Sequence, residues 1–244
     1  MRTLIVIPAR MAATRLPGKP LADIHGRPMI AWVAEAALRA RLGPVLVAAG
    51  EAEIAEAAQN TGAHAVLTDP ALPSGTDRAH AAAAAFDTAG DFDAIVNLQG
   101  DMPTIDPGMI ASAVDLLASS GADIATLASP STAPEDRDNP NVVKAVIAFS
   151  TPERGRALYF TRTAAPSGEG PLWRHVGLYV YRRAALARFV AAPPSLLEQR
   201  EKLEQLRALE MGMSIEVGVV ADFPKGVDSP ADLEAARAAL LARA

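Results

Sequence analysis

Cysteine is absent from the 244 residues of this chain. Disulfide bonds, thiolate nucleophiles and cysteine-ligated zinc sites are therefore excluded. Positive charge is in deficit, since 23 lysines and arginines stand against 28 aspartates and glutamates and give a formal net charge of -5. Because affinity for a phosphate backbone depends on clustered cations, this deficit argues against a nucleic-acid-binding protein.

Long apolar runs are also missing. The run at residues 4–8 is followed by Arg10 and is too short for a signal peptide, so we interpret it as a buried strand. The longest alanine tract, residues 81–85, is far shorter than a membrane-spanning helix. These features predict a soluble, cytoplasmic protein with no membrane partner.

Aromatic residues make up only 5% of the chain, whereas hydrophobic residues of all kinds make up 50%. This composition favours an aliphatic core between helices and a sheet. In the first half, short apolar runs typical of buried strands alternate with segments of helical periodicity. The predicted strands are residues 4–7, 45–48, 65–67, 95–98 and 124–127, and the predicted helices are residues 29–40, 54–61, 78–88 and 107–119. The alternation predicts a parallel sheet with helices on both faces.

The pattern changes in the second half of the chain. Extended segments at residues 142–149, 176–181 and 215–220 are predicted to be antiparallel, and a helix is predicted over residues 196–211. A closing helix runs from Ser229, its N-cap, to the end of the chain. We predict an α/β protein consisting of a single Rossmann-like domain, with a mixed, mostly parallel sheet and a smaller antiparallel extension.

The segment most suggestive of function is residues 8–21, PARMAATRLPGKPL, directly after the first predicted strand. In open α/β sheets, ligands bind at the carboxyl ends of the strands. The cations Arg10, Arg15 and Lys19, with Gly18 allowing close approach of the backbone, could surround a triphosphate. The spacing matches neither common glycine-rich phosphate-binding pattern, so a solvated loop is an equally simple interpretation.

Residues 8–21 resemble the N-terminal signature of sugar-activating nucleotidyltransferases, in particular of the 3-deoxy-manno-octulosonate cytidylyltransferase (CMP-Kdo synthetase) family. Further segments similar to that family follow in the expected order at residues 24–30, 74–78, 96–101, 139–144, 157–162, 175–179, 203–207 and 226–233. The resemblance implies a nucleotidyltransferase domain with a nucleotide-binding half at residues 1–130, a sugar-binding and dimer-forming part at 131–228, and a closing helix at 229–244. The implied reaction transfers CMP from CTP to the anomeric 2-hydroxyl of 3-deoxy-D-manno-octulosonate for lipopolysaccharide synthesis.

The resemblance also implies a set of catalytic residues. Arg10 and Lys19, assisted by Arg15, would bind the β- and γ-phosphates of CTP. Asp101 and Asp228 would bind Mg²⁺, an ion that prefers oxygen ligands. Taken without the resemblance, each of these aspartates fits the start of a helix as well as a metal site.

Binding residues follow from the same comparison. Pro8 and Ala9 would line the nucleotide site. Ser74, Gly75 and Arg78 resemble a loop that recognises cytosine, and Gln99 would lie between nucleotide and sugar. On the sugar side the implied residues are Arg162, as a bidentate clamp on the carboxylate, with His175 and Tyr179.

A homodimer is expected from the family, with exposed parts of residues 196–211 as a candidate contact. His175 is an alternative base, although a lone histidine beside a strand is more often structural.

Three departures from the family pattern bear on the substrate. Ala49-Gly50-Glu51 stands where the family has Thr-Asp, and Met102 replaces the glutamate of Gln-Gly-Asp-Glu-Pro. The loop at residues 164–173 is shorter than usual. An 8-amino-octulosonate or a nonulosonic acid is therefore an alternative acceptor, and a sugar or alditol phosphate is a more distant one. A non-catalytic nucleotide-binding homologue is the alternative from another class.

Overall fold

The computed structural model describes residues 1–12 and 15–242. Their contacts define two compact units, one formed by residues 1–111 with 224–244 and the other by residues 112–223. The first unit contains β1 (Thr3–Ala9), a 3-10 helix (Lys19–Leu21), β2 (Asp23–Ile24), β3 (Arg27–Pro28), α1 (Met29–Ala40), β4 (Val45–Ala49), α2 (Ala52–Gln59), β5 (His64–Leu67), α3 (Gly75–Phe86) and β6 (Ala94–Leu98). Helix α4 (Pro107–Ser119) crosses the boundary between the units.

The second unit contains β7 (Ile124–Ser131), α5 (Pro134–Asp138), β8 (Lys144–Thr151), β9 (Arg154–Thr161), β10 (Leu172–Arg182), α6 (Arg183–Ala191), α7 (Leu196–Glu201), α8 (Gln205–Glu210) and β11 (Ile215–Val219). Helix α9 (Pro230–Leu241) returns to the first unit. Residues 243 and 244, which the sequence assigns to the closing helix, lie outside the described residues.

Strands of the first unit pair in parallel in the order β5, β4, β1, β6. Every residue of β1, β4 and β6 is buried, whereas β5 at the edge is partly exposed. The register places Ala9 beside Ala49, at the carboxyl ends of β1 and β4. The predicted nucleotide-binding residues lie at or after the carboxyl ends of β1, β5 and β6, in the position that ligands of parallel α/β sheets occupy.

Strands of the second unit are mainly antiparallel. Strand β10 pairs antiparallel with β7, β11 pairs antiparallel with β9, and β9 pairs antiparallel with β8. The prediction that residues 215–220 are antiparallel is only half right, because β11 runs parallel to β7. The mixed α/β fold is confirmed. The assignment of residues 1–130, 131–228 and 229–244 to separate tasks stays a prediction.

The prediction of one helix over residues 196–211 is wrong. Helix α7 ends at Glu201, and Lys202 adopts the left-handed conformation with a φ of 58°. The carbonyl oxygens of Glu201 and Lys202 accept hydrogen bonds from the guanidinium of Arg162 at 2.8 and 3.3 Å. Strand β9 and helix α6 were not predicted.

The helices α7 and α8 are joined by a buried ion pair. Arg207 on α8 donates from Nε and Nη2 to the two carboxylate oxygens of Glu198 at 2.7 and 2.5 Å. The guanidinium also lies 4.5 Å from the ring centroid of Phe189 on α6. Burial alone would raise the pKa of Glu198, but the hydrogen bonds from Arg207 and from the Ser195 amide hold it below its ordinary value. The pair is therefore charged and holds α7 against α8.

Helix α9 packs against the segment that follows the loop at residues 10–18. Val227, Leu233, Ala236 and Leu240 form one buried cluster with residues of β2 and α1, against which Leu16 and Trp32 also pack. The helix begins with a capping box formed by Ser229 and Asp232, as the sequence predicts for its start. Within residues 1–12 and 15–242, no helix has the length and hydropathy needed to cross a membrane.

Replacing Arg207 by methionine leaves Glu198 buried without its partner. We expect Arg207→Met to lower the free energy of unfolding by about 3 kcal/mol, measured by urea denaturation at neutral pH. Arg200→Met on α7 removes the same charge from an exposed position and is the control. An equal loss in both variants would contradict a special role for the buried pair.

Candidate active site

A cavity of about 290 Å³ opens in the first unit, where β1 and β6 end and α3 begins. Every residue predicted to bind nucleotide or metal contributes to its wall. The lining residues are Pro8, Ala9, Arg10, Ala12, Arg15, Leu16, Lys19, Pro20, Ser74, Gly75, Arg78, Gln99, Gly100, Asp101 and Asp228. Ala12, Leu16, Pro20 and Gly100 had no predicted role, although each lies inside a family-like segment.

The loop that carries the cations is closed at Met11. The Met11 amide donates to Glu51 Oε2 at 2.9 Å, and the Met11 carbonyl accepts from the Gly18 amide at 3.3 Å. Gly18 has a φ of 69°, a conformation that favours glycine. The hydrogen bonds at Met11 bring the two ends of the loop together, and Arg10 and Lys19 line the same cavity.

Lys19 links the two predicted metal ligands. Its Nζ donates to Asp101 Oδ2 at 2.6 Å and to Asp228 Oδ1 at 3.1 Å. The second oxygen of Asp228 lies 3.0 Å from Nη2 of Arg15. Burial alone would lower the pKa of Lys19, but the charges and hydrogen bonds of Asp101 and then Asp228 raise it above its ordinary value. Residues predicted to bind phosphate and residues predicted to bind metal therefore contact one another.

The position of Asp228 is fixed from both sides. The amide of Val227 donates to the Asp101 carbonyl at 2.9 Å, which joins the two aspartate segments directly. On the other side, the Asp232 carboxylate accepts from the amides of Asp228 and Ser229 at 3.3 and 3.0 Å. Burial would raise the pKa of Asp232, but hydrogen bonds from Lys225, Ser229 and Asp228 lower it to about 2. From the sequence, Asp232 is predicted only as a residue of the first turn of the helix, and its contact with the Asp228 amide is not.

The opposite wall is formed by the start of α3 and the end of β6. Ser74 is the N-cap of α3 and accepts from the Asp77 amide at 3.2 Å. Arg78 is buried and donates to the Thr68 hydroxyl and the Pro70 carbonyl. Burial and the nearby charge of Arg10 lower the pKa of Arg78.

Gln99 completes this wall. Its amide donates to Asn97 Oδ1 at 3.1 Å, and buried Asn97 donates to Thr76 Oγ1 at 3.1 Å. This chain of hydrogen bonds orients the polar end of Gln99 beside Gly75, whose added Cβ would lie 3.4 Å from Gln99 Oε1.

The donor set is compatible with Mg²⁺. Asp101 and Asp228 offer hard carboxylate oxygens, and one ammonium group reaches both, so they project toward a common point. Mg²⁺ commonly takes one or two protein carboxylates and completes its octahedron with water and substrate oxygens. No cluster of three or more aspartate, glutamate or histidine ligands occurs in the described part of the chain.

The departures from the family pattern have a structural explanation. Glu51 holds Met11, and an added Cβ at Gly50 would lie 3.2 Å from Arg10 Cβ and 3.4 Å from Arg78 Nη1. Glycine at position 50 therefore leaves room for both cations. Met102 is 3% exposed and does not line the cavity. Its apolar side chain is a core residue, and its presence leaves the oxygen atoms of Asp101 in place.

Arg162, predicted to bind the sugar carboxylate, lies in the second unit at the end of β9. Its guanidinium donates to the carbonyl oxygens of Glu201, Lys202 and Pro140. A guanidinium has five N–H donors, so a carboxylate would have to bind through the donors that these carbonyls do not use. The clamp role stays a prediction.

His175 and Tyr179 lie on β10 with their rings in contact at a centroid distance of 5.3 Å. His175 Nε2 lies 2.9 Å from Thr126 Oγ1, and burial lowers the pKa of His175 to about 3. Burial, with Tyr181 and Glu204 nearby, holds the pKa of Tyr179 well above its ordinary value. Both side chains are thus neutral at physiological pH, and a histidine of such low pKa is a poor general base.

Fold and cavity together fit the nucleotidyltransferase class of enzymes, and comparison with known proteins agrees. The family model described as cytidylyltransferase matches residues 4–215. Curated 3-deoxy-manno-octulosonate cytidylyltransferases are similar over nearly their whole length: that of Parvibaculum lavamentivorans is 61% identical, covering 98% of this chain and 93% of the relative, and that of Rhodospirillum centenum is 60% identical, covering 97% and 93%. The chain belongs to the 3-deoxy-manno-octulosonate cytidylyltransferase family.

A solved structure gives the same result. The structure of CMP:2-keto-3-deoxy-manno-octonic acid synthetase complexed with CTP is 36% identical, with a TM-score of 0.90 and complete coverage of both chains. A cytidylyltransferase from Leptospira borgpetersenii is 18% identical with a TM-score of 0.63, covering 97% of this chain and 85% of the other, and so shares the fold.

Neutral His175 should make stability depend on pH. In the unfolded chain the imidazole takes up a proton near pH 6.5, but in the folded chain it does so only near pH 3. Because the unfolded chain binds the extra proton between these values, the folded state is most stable above pH 6.5 and loses stability as the pH falls toward 3. Between pH 7 and pH 5, the free energy of unfolding measured in urea should fall by about 2 kcal/mol more in the wild type than in His175→Gln. His64→Gln removes an exposed histidine and is the control. Equal losses in wild type and His175→Gln would contradict this assignment.

Proposed function

We infer that this chain transfers the CMP group of CTP to the anomeric 2-hydroxyl of 3-deoxy-D-manno-octulosonate and releases CMP-Kdo and pyrophosphate. The observation that carries this inference is the convergence of Arg15, Lys19, Asp101 and Asp228 at one point of the cavity. The family relatives do not favour a modified sugar acid or a non-catalytic protein. The buried position of Met102 removes the main sequence argument for the second alternative.

In the proposed reaction the sugar oxygen forms a bond to the α-phosphorus while the bond from that phosphorus to the β-phosphate oxygen breaks. The hydroxyl proton passes to solvent water, and pyrophosphate leaves with the bonding electrons. An anionic sugar must approach a polyanion, and two like charges about 4 Å apart repel by about 4 kcal/mol at an effective dielectric of 20. Arg10, Arg15 and Lys19 would offset this repulsion and the charge that develops on pyrophosphate.

We assign a Mg²⁺ site to Asp101 and Asp228, whose carboxylates both reach the same ammonium group. When bound there, the ion would offset phosphate charge and lower the pKa of the attacking hydroxyl. The protein positions the two carboxylates through the contact of Val227 with the Asp101 carbonyl and through the cap at Asp232.

The remaining residues are assigned to recognition of the two substrates. Ser74, Gly75 and Arg78 would bind the cytosine and ribose, and Gln99 would orient the nucleotide. Arg162, His175 and Tyr179 would bind the sugar acid; with a pKa near 3 for His175, its contribution is hydrogen bonding rather than proton transfer.

The biological setting follows from the substrates. We place the reaction in the cytoplasm, where CTP is made, and assign its product to lipopolysaccharide assembly. A homodimer is the proposed assembly, supported by exposed apolar side chains on the second unit, where Leu158 is 50% and Leu196 is 82% exposed. Light scattering of the purified chain would test this state, and a monomer at micromolar concentration would contradict it.

The reaction is tested by pyrophosphate release with Mg²⁺ and CTP. The acceptors to compare are 3-deoxy-D-manno-octulosonate, its 8-amino analogue and a nonulosonic acid, with ATP, GTP and UTP as nucleotide controls. We expect release with CTP and the unmodified octulosonate. Release with only one of the other acceptors would replace the sugar assignment, and silence with all of them would contradict the proposed activity.

Asp101→Asn and Asp228→Asn keep the size of each side chain but remove its charge. Each variant should turn over at least about a hundredfold more slowly, by analogy with the loss of one preorganised electrostatic group. Asp115→Asn on the exposed face of α4 is the matched control. Near-normal turnover in either site variant would exclude that aspartate as a metal ligand.

Glu51 should matter for nucleotide binding because it fixes the loop that carries Arg10 and Lys19. Glu51→Ala removes the acceptor for the Met11 amide and should raise the KM for CTP about tenfold, whereas Glu51→Gln retains an acceptor and should raise it less. Glu56→Ala, on the exposed face of the adjoining helix α2, controls for loss of charge. If Glu51→Ala lowers only kcat, the anchor role is wrong.

A further inference from the structure

The point where the two predicted metal ligands meet already holds a cation of the protein. Lys19 Nζ contacts both Asp101 and Asp228, and Arg15 contacts the other oxygen of Asp228. The Lys19 side chain is 18% exposed, less than either carboxylate partner, so the ammonium group lies inside the cleft. The carboxylates are thus neutralised by the same residues that the proposed function assigns to phosphate.

A divalent ion cannot share this position with the ammonium group. Mg²⁺ generally binds carboxylate oxygens at about 2.0–2.1 Å, and Lys19 already contacts one oxygen of Asp101 and one of Asp228. Two cations at such short separation repel strongly in a partly buried site. A divalent ion held by both carboxylates would therefore compete with Lys19 for these oxygen atoms.

CTP would weaken this competition, because its phosphates attract the same side chains. Lys19 and Arg15 line the cavity, and their charged groups are carried at the ends of long side chains. Each group can therefore exchange a carboxylate partner for a phosphate partner. Once they do, Asp101 and Asp228 are exposed to a second cation while the nucleotide supplies further oxygen ligands.

We propose that Lys19 is a competing cation that keeps the divalent metal from the free protein and makes metal binding depend on CTP. This inference rests on the proposed function, in which Asp101 and Asp228 hold the metal. It assigns Lys19 a second task besides contact with phosphate, and it makes binding of metal and nucleotide mutually reinforcing.

The test is a titration of the purified protein with Mn²⁺, followed by the electron paramagnetic resonance signal of the free ion, without and with CTP and in the absence of sugar. Because CTP itself chelates Mn²⁺, the same titration of CTP without protein is subtracted, and only the additional loss of free ion counts as binding to the protein. The wild type should bind Mn²⁺ at least about tenfold more tightly with CTP. Lys19→Met should bind Mn²⁺ without CTP about tenfold more tightly than the wild type does. Lys19→Arg keeps a cation and should bind weakly, as the wild type does.

Lys202→Met removes a lysine from an exposed position of the second unit and controls for net charge. Thermal unfolding checks that each variant is folded. If Lys19→Met and the wild type bind Mn²⁺ equally without CTP, while CTP still promotes binding in the wild type, the competition is wrong and the metal site stands. If Mn²⁺ does not bind even with CTP, or binds unchanged in Asp101→Asn, the metal assignment fails and this inference with it.

Discussion

One ammonium group holds together residues that are far apart in the sequence. Lys19 contacts Asp101 and Asp228, which lie 82 and 209 positions away along the chain. Each partner comes from a different local structure: the loop after β1, the end of β6 and the segment before α9. The parallel pairing of β1 and β6 brings the first two to the same edge of the sheet. The charges at this edge can therefore act as a group only when the first unit is folded.

The C-terminal helix carries the third partner, and apolar packing rather than charge determines where it lies. Leu233, Ala236 and Leu240 bury the inner face of α9 against β2 and α1, the elements that follow Lys19. The capping box then sets the direction of the preceding turn, and Asp232 binds the Asp228 amide. Hydrophobic burial thus places the segment, and a few hydrogen bonds orient the carboxylate.

Much of this arrangement could be predicted from the sequence because its signals are local. Short apolar runs identified β1, β4 and β6, and every predicted nucleotide or metal residue lies in the cavity wall. The failures concern contacts between distant segments. Arg162 ends a helix that periodicity would continue, and Glu51 anchors Met11 across 40 positions. No local pattern encodes such pairs.

Asp101 and Met102 are neighbours in one sequence signature, but one lines the cavity and the other belongs to the core. The first position is therefore constrained by the chemistry of the cavity and the second by volume and packing. A search pattern that demands a carboxylate at both positions would reject this chain, although Asp101 lines its cavity. Signatures of this family would be better built from the residues that reach the ligand than from unbroken runs of letters.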